Sequence, residues 1–215
     1  MGQQLENHQP PKIYIIGLGG SSASGKSTTS KKLSEKLNSP FLPICGDHFF
    51  KSEIPMHDIW GHNYEIPEAV DFESIKIGLK KMKEHFSKTP FEKFKENLRP
   101  NKYMKIPIES ETHIVNKNTK NIFIIIESFL LYYDKDLCDL IDFHFFISCP
   151  QEIARERRMK RDHFCNDKWF DEMVWTHFEK FKEIQLKNSN AKIIDGTQPI
   201  EDSVNEIIEK INKNI

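Results

Sequence analysis

The chain has 215 residues and a formal net charge of −1, so it carries no broad basic field and non-specific nucleic-acid binding is excluded as its main activity. Charged residues interrupt every apolar run, which excludes a predicted bilayer span and a membrane partner. The length suits one α/β domain, and four cysteines (Cys45, Cys138, Cys149, Cys165) with no C-x-x-C pair and no leader segment fit reduced thiols in a cytoplasmic protein.

Residues 1–11 are polar with two prolines and are expected to form a flexible tail, leaving 12–215 as a single domain. Ile13–Leu18 reads as a buried strand. Gly20-Ser21-Ser22-Ala23-Ser24-Gly25-Lys26-Ser27 then matches G-x-x-x-x-G-K-[ST], the phosphate-binding loop. Small residues let backbone N–H groups turn inward to cradle phosphate oxygens. Lys26 reaches the β- and γ-phosphates, and the Ser27 hydroxyl ligates Mg²⁺. The expected nucleotide-binding set runs from Gly20 to Thr28. A helix from Lys26 to Leu37 follows, carrying Leu33 and Leu37 on one face, and its N-terminus adds partial positive charge to the anion site.

Pro40–Cys45 reads as a second strand ending at Gly46-Asp47-His48, where Asp47 either faces the phosphate loop or serves as a turn residue. Phe49–His62 has no clean period and is expected to be a loop that closes over a substrate. Asn63–Phe72 leads into a helix from Asp71 to Phe86 with Ile75, Leu79 and Met82 on one face. Pro90–Thr119 is Lys-rich and reads as a hairpin or a substrate-side flap, its lysines forming a solvated face.

Asn121–Ile126 is the most apolar strand, and Glu127 follows it, either as a group acting on Mg²⁺ or as a loop glutamate. Phe143–Cys149 is the next strand. The helix Gln151–Arg161 carries Arg155, Arg157, Arg158 and Arg161, with Arg157 and Arg161 on a shared face. Such a helix sets one arginine on ATP and another on the acceptor, or is an ordinary charged helix given Glu152 and Glu156. Phe170–Lys187 reads as a helix with Met173, Val174, His177, Phe178 and Phe181 at core spacing. Ala191–Ile194 is the last strand, Asp195-Gly196-Thr197 turns, and a final helix ends near Ile211. The histidines form no metal-ligand pattern, since His57 and His62 do not share a helical face.

Together these segments resemble the nicotinamide riboside kinases, members of the uridine kinase-like group of P-loop kinases. The resemblance rests on the phosphate loop, Gly46-Asp47-His48-Phe49-Phe50-Lys51, Tyr64-Glu65 before Pro67-Glu68-Ala69, and Ile125-Ile126-Glu127-Ser128-Phe129-Leu130-Leu131. It rests also on Arg157-Arg158, Phe170-Asp171 with Val174-Trp175, and Asp195-Gly196-Thr197. It implies a three-layer α/β/α P-loop kinase fold with a mainly parallel sheet and a small lid at about 155–169.

The activity it implies is ATP-dependent phosphorylation of the ribose 5′-hydroxyl of nicotinamide riboside, with ATP and Mg²⁺, by a monomer or homodimer. By the same resemblance Asp47 is the catalytic base, and Ser27, Asp47 and Glu127 form the metal site. His48, Phe49 and Phe50 stand on the substrate side. Tyr64 stacks on the pyridine ring, while Glu65 and Arg158 hold the ribose diol. Arg157 and the Asp195–Thr197 turn contact ATP, with Arg161 as a further lid arginine. Three positions depart from the pattern: Glu65 replaces Asp, Ser128 replaces Gly, and His163 and Phe164 stand where a second aromatic should cover the ring.

A uridine or cytidine kinase shares the phosphate loop, the Asp47 position and the segment at Asn63. Its Tyr-Asp-Phe…His-x-Arg signature is not found after the second long helix. A regulatory nucleotide binder without turnover is the other class. The joint presence of Lys26, Ser27, Asp47 and Glu127 argues against it, because a pure binder needs no base.

Overall fold

A computed structural model describes residues 11–88, 121–163 and 165–215. The expected tail up to residue 10, the Lys-rich segment 90–119 and Phe164 lie outside the described residues. The main sheet has five strands: β1 (Lys12–Gly20), β2 (Ile44–Cys45), β5 (Asn121–Glu127), β6 (Phe143–Ser148) and β7 (Lys192–Asp195). They run in the order β2-β5-β1-β6-β7, and every pairing is parallel. The fold class expected from the sequence is therefore the one observed.

The side-chain alternation of the two central strands explains why both faces are covered. Ile13 and Ile15 of β1 and Ile122, Ile124 and Ile126 of β5 point to one face. They pack there with Leu79 and Met82 of α2 (Phe72–Lys88) and Phe178 and Phe181 of α6 (Thr176–Ser189). Ile16, Leu18, Phe123 and Ile125 point the other way, onto Leu33 of α1 (Lys26–Lys36) and Val204, Ile207 and Ile211 of α7 (Ile200–Asn212). Strands buried on both faces read as near-continuous apolar runs, as these do. The chain passes from β1 to β2 and β5 on one side, then crosses to β6 and β7 on the other. This puts the switch point at the carboxyl end of β1, where parallel α/β sheets bind ligands.

Four local elements differ from the expectation. The strand expected at Pro40–Cys45 shortens to Ile44–Cys45, since Pro40 and Pro43 have no N–H for a ladder. The Ser39 hydroxyl ties this segment to β5 instead, donating to the Phe123 carbonyl at 2.7 Å. Phe49–His62 is more than a loop: it holds an antiparallel hairpin of β3 (Met56–His57) and β4 (Gly61–His62). A short helix, α3 (Lys135–Cys138), capped by Asp134, is too brief for a sequence period. The helix expected from Phe170 starts earlier, at α5 (Asp167–Trp169), and widens into a π-turn over Phe170–Trp175 before α6. Asn166 sets that start, its side chain accepting the Trp169 N–H at 2.8 Å. The helix Gln151–Arg161 is α4, with the expected bounds.

Candidate active site

The phosphate loop leaves β1 through Gly20 (φ 136°) and enters α1 through Gly25 (φ 106°), both in the region that favours glycine. A Cβ on Gly20 would also run into the Ile147 carbonyl of β6. Lys26 is buried and its Nζ donates to the Ser21 carbonyl at 2.8 Å, across the loop. The Ser27 hydroxyl donates to Glu127 Oε1 at 2.7 Å.

Glu127 is where the strand register puts it, opposite Leu18 of β1 and Cys45 of β2, at the carboxyl end of the sheet. Asp47 stands in a 3₁₀ turn, Gly46–Phe49, directly after β2. Gly46 lies so close to Ser128 that a Cβ there would collide with that side chain. The turn bearing Asp47 is thereby pressed onto the end of β5. Burial pushes the Cys45 thiol up to about 12, and the neighbouring Glu127 and Asp47 carboxylates add to it. That thiol is inert as a nucleophile.

A cavity of about 970 Å³ opens over these groups. Ser22, Ala23, Gly25–Thr28, Asp47 and Glu127 line it, together with Arg157, Arg158 and Arg161 of α4. Aromatic rings line it too: Phe50, Trp60, Tyr64, Phe129 and Trp169. Tyr64 meets Phe50 edge-on at 4.9 Å, and Phe50 lies 6.3 Å from Phe129. Glu65 also lines the cavity. Burial pushes its carboxyl up to about 7, held down in part by Arg158 and Lys26 and raised further by Asp47.

The arginines of α4 divide their partners. Arg158 donates to the Ser22 hydroxyl at 2.7 Å, pairs with Asp162 at 2.7 Å and lies 5.5 Å from the Trp169 ring centroid. Arg157 donates to the Gly196 carbonyl at 2.8 Å, tying α4 to the turn after β7. In that turn Asp195 accepts from the Thr197 N–H and hydroxyl, and these bonds hold its carboxyl below the ordinary range. A Cβ on Gly196 would stand 2.8 Å from the Ser24 carbonyl, so the turn abuts the phosphate loop.

Some expected residues stand elsewhere. Phe49 is buried in the core, because the 3₁₀ turn sends it under the sheet, and His48 is exposed outside the cavity lining. His163 is exposed and does not line the cavity. Among the described residues after α4, Trp169 is an aromatic that lines the cavity. Asp195 and Thr197 are exposed and outside the lining. Trp60, Phe129, His62, Asn166, Trp169 and Ile200 line the cavity without having been singled out as site residues. A tryptophan inside each of two polar, irregular segments was the available signal for Trp60 and Trp169.

Ser27, Asp47 and Glu127 fit Mg²⁺ by chemistry: all three offer oxygen donors. Glu127 is buried, at 5% exposure, and forms no ion pair with a described residue, so a cation beside it would offset a buried charge. Among the described residues no three His, Cys, Asp or Glu side chains cluster as a complete metal cage. Mg²⁺ needs none where substrate phosphates and waters complete its shell.

Residues 15–168 match the Phosphoribulokinase / Uridine kinase family. The chain belongs to that family. It is 30% identical to mouse Uridine-cytidine kinase-like 1 over 72% of its own length, but spans only 27% of that relative. Human Nicotinamide riboside kinase 2 is 27% identical over 94% of this chain and 82% of its own. A shikimate kinase structure from Acinetobacter baumannii shares the fold, with a TM-score of 0.53 at 12% identity over 94% of both chains. No helix among the described residues is long and apolar enough to cross a membrane.

Proposed function

We propose that this family member is a nucleoside kinase, transferring the γ-phosphoryl group of ATP to the ribose 5′-hydroxyl of nicotinamide riboside. The observation that carries the reading is the composition of one cavity. It joins a phosphate loop, the exposed Asp47 and the buried Glu127 to a set of aromatic rings and a third carboxylate, Glu65. A pyridinium riboside is a cationic aromatic, and it gains from both ring faces and negative charge. The correspondence with human Nicotinamide riboside kinase 2 along nearly the whole chain supports this choice.

Phosphoryl transfer asks the protein mainly for positioning and charge neutralisation. The loop backbone and Lys26 hold the β- and γ-phosphates, and Arg157 and Arg161 neutralise charge from the α4 side. Ser27 and Glu127, with Asp47, would hold Mg²⁺, which when bound neutralises charge on the phosphate oxygens. Asp47 accepts the proton of the attacking 5′-hydroxyl. Tyr64 stacks on the ring, and Glu65 with Arg158 accepts from and donates to the ribose diol. The higher identity to mouse Uridine-cytidine kinase-like 1 favours a second reading, in which the same machinery phosphorylates uridine or cytidine.

The test pairs product with residue. Nicotinamide riboside and MgATP are expected to give the mononucleotide and ADP in equal amounts by ³¹P NMR. Asp47→Asn should still bind the riboside while kcat falls by about 10²-fold or more, the range of a lost general base. Turnover within a few-fold of wild type would remove Asp47 from that role.

A further inference from the structure

Tyr64 and Glu65 sit on a backbone held from the side by a chain of three hydrogen bonds. The Glu65 N–H donates to Asn63 Oδ1 at 3.1 Å. The other end of that amide, Asn63 Nδ2, lies 3.2 Å from His177 Nε2. His177 Nδ1 in turn lies 2.6 Å from the Met173 carbonyl in the π-turn.

The polarity of this chain is fixed at both ends by main-chain groups. A carbonyl only accepts, so Nδ1 carries the imidazole proton and Nε2 of the neutral ring is the acceptor. A backbone N–H only donates, so Asn63 must turn its oxygen to Glu65 and its NH₂ to His177. Each assignment requires the other. Bonding of a helical histidine to the carbonyl one turn back is ordinary local chemistry and would explain only the Met173 end. The Asn63 end joins two segments 114 residues apart in the chain, and Asn63 is buried, at 6% exposure.

We propose that His177 is a positioning residue for the acceptor: through Asn63 it fixes the main chain of Tyr64 and Glu65, and so sets affinity for the nucleoside without touching it. This rests on the reading that Tyr64 and Glu65 hold the acceptor. It gives the π-turn a use, since its Met173 carbonyl orients His177 at the start of α6, whose ring lies 6.4 Å from that of His57 in β3. Trp60 Nε1, donating to Glu172 Oε2 at 3.2 Å, is a second tie between the same two elements.

The experiment is a set of steady-state measurements on the full chain, varying the nucleoside at saturating MgATP and then the reverse. It uses whichever of nicotinamide riboside and uridine the wild type phosphorylates, so the proposed substrate can fail while the relay is still decided. His177→Phe keeps a ring against Phe181 and removes the acceptor. It should raise the nucleoside KM roughly 3–10-fold, the effect of one lost hydrogen bond, with kcat and the ATP KM within about twofold. Asn63→Ala should do the same from the other end. The double variant should be no worse than either single one, because both remove one interaction. His177→Gln, whose side-chain oxygen reaches the Nε2 position, should restore the wild-type KM.

The proposal is overturned if His177→Phe leaves the nucleoside KM unchanged, or if the two single effects multiply in the double variant. It is overturned too if kcat and the melting temperature fall while both KM values rise together, and Gln rescues none of them.

Discussion

Glu65 holds its proton to about 7, against an ordinary value of 4.5, because burial outweighs the attraction of Arg158 and Lys26. The ionised carboxyl offers both oxygens as acceptors to the ribose hydroxyls, whereas protonation turns one of them into a donor. The nucleoside KM should therefore fall as pH rises through about 7, with kcat/KM rising over the same limb. Glu65→Gln should bind the nucleoside weakly and lose that limb. The stability effect has a definite sign. Between 4.5 and about 7 the unfolded chain has released this proton and the folded chain keeps it, so stability falls as pH rises through that window and is flat above it. Urea titrations of wild type and Glu65→Gln should diverge across the window, and parallel curves would contradict the assignment. The sequence made the choice of Glu over Asp visible, but not its burial. Glu65 stands half-buried in the wall of the cavity that Arg158, Tyr64 and Trp169 also line, a setting no short stretch of chain specifies.

At the scale of elements, the turn carrying Asp47 depends on a close approach between Gly46 and Ser128. A side chain at Gly46 has no room, so Gly46→Ala should lose about 1–3 kcal/mol of stability by overpacking and shift Asp47 from the cavity. Adding Ser128→Gly removes the atoms in collision, and the double variant should recover most of both stability and turnover. A double variant no better than Gly46→Ala would show that the contact does not govern the turn. Apolar periodicity located the long helices and the buried strands to within a few residues. It failed where side-chain bonding decides: Ser39 takes the place of a strand ladder, and Asn166 starts a helix before its apolar face begins. The β3–β4 hairpin has two residues per strand, fewer than any alternation requires, and it is this element that presents Trp60.

Across the whole molecule, the sheet is tied together behind the phosphate loop by Tyr132. Its hydroxyl is within 2.6 Å of the Gly17 carbonyl and accepts the Phe145 N–H at 3.0 Å, linking β1 to β6. Gly17 and Gly19 leave room for this side chain, since a Cβ would stand 2.8 Å from its hydroxyl and 2.6 Å from its ring respectively. Tyr132→Phe strands buried main-chain groups and should lose about 1–3 kcal/mol, read as a lower urea midpoint. An unchanged midpoint would mean that β1 and β6 close their own ladder. The parallel sheet and the place of the site were legible because strand, glycine loop and helix stand in one continuous stretch. The aromatic end of the cavity was less so, because Phe50, Tyr64, Phe129 and Trp169 come from four separate segments that only the fold brings together.

One competition measures the choice of acceptor. Nicotinamide riboside, uridine and cytidine are each supplied with MgATP, and kcat/KM is compared for the wild type and Tyr64→Ala. Nicotinamide riboside should be the best of the three and Tyr64→Ala should narrow its lead, since only the cationic ring gains electrostatically from the tyrosine face. Uridine or cytidine exceeding nicotinamide riboside in kcat/KM would contradict that choice.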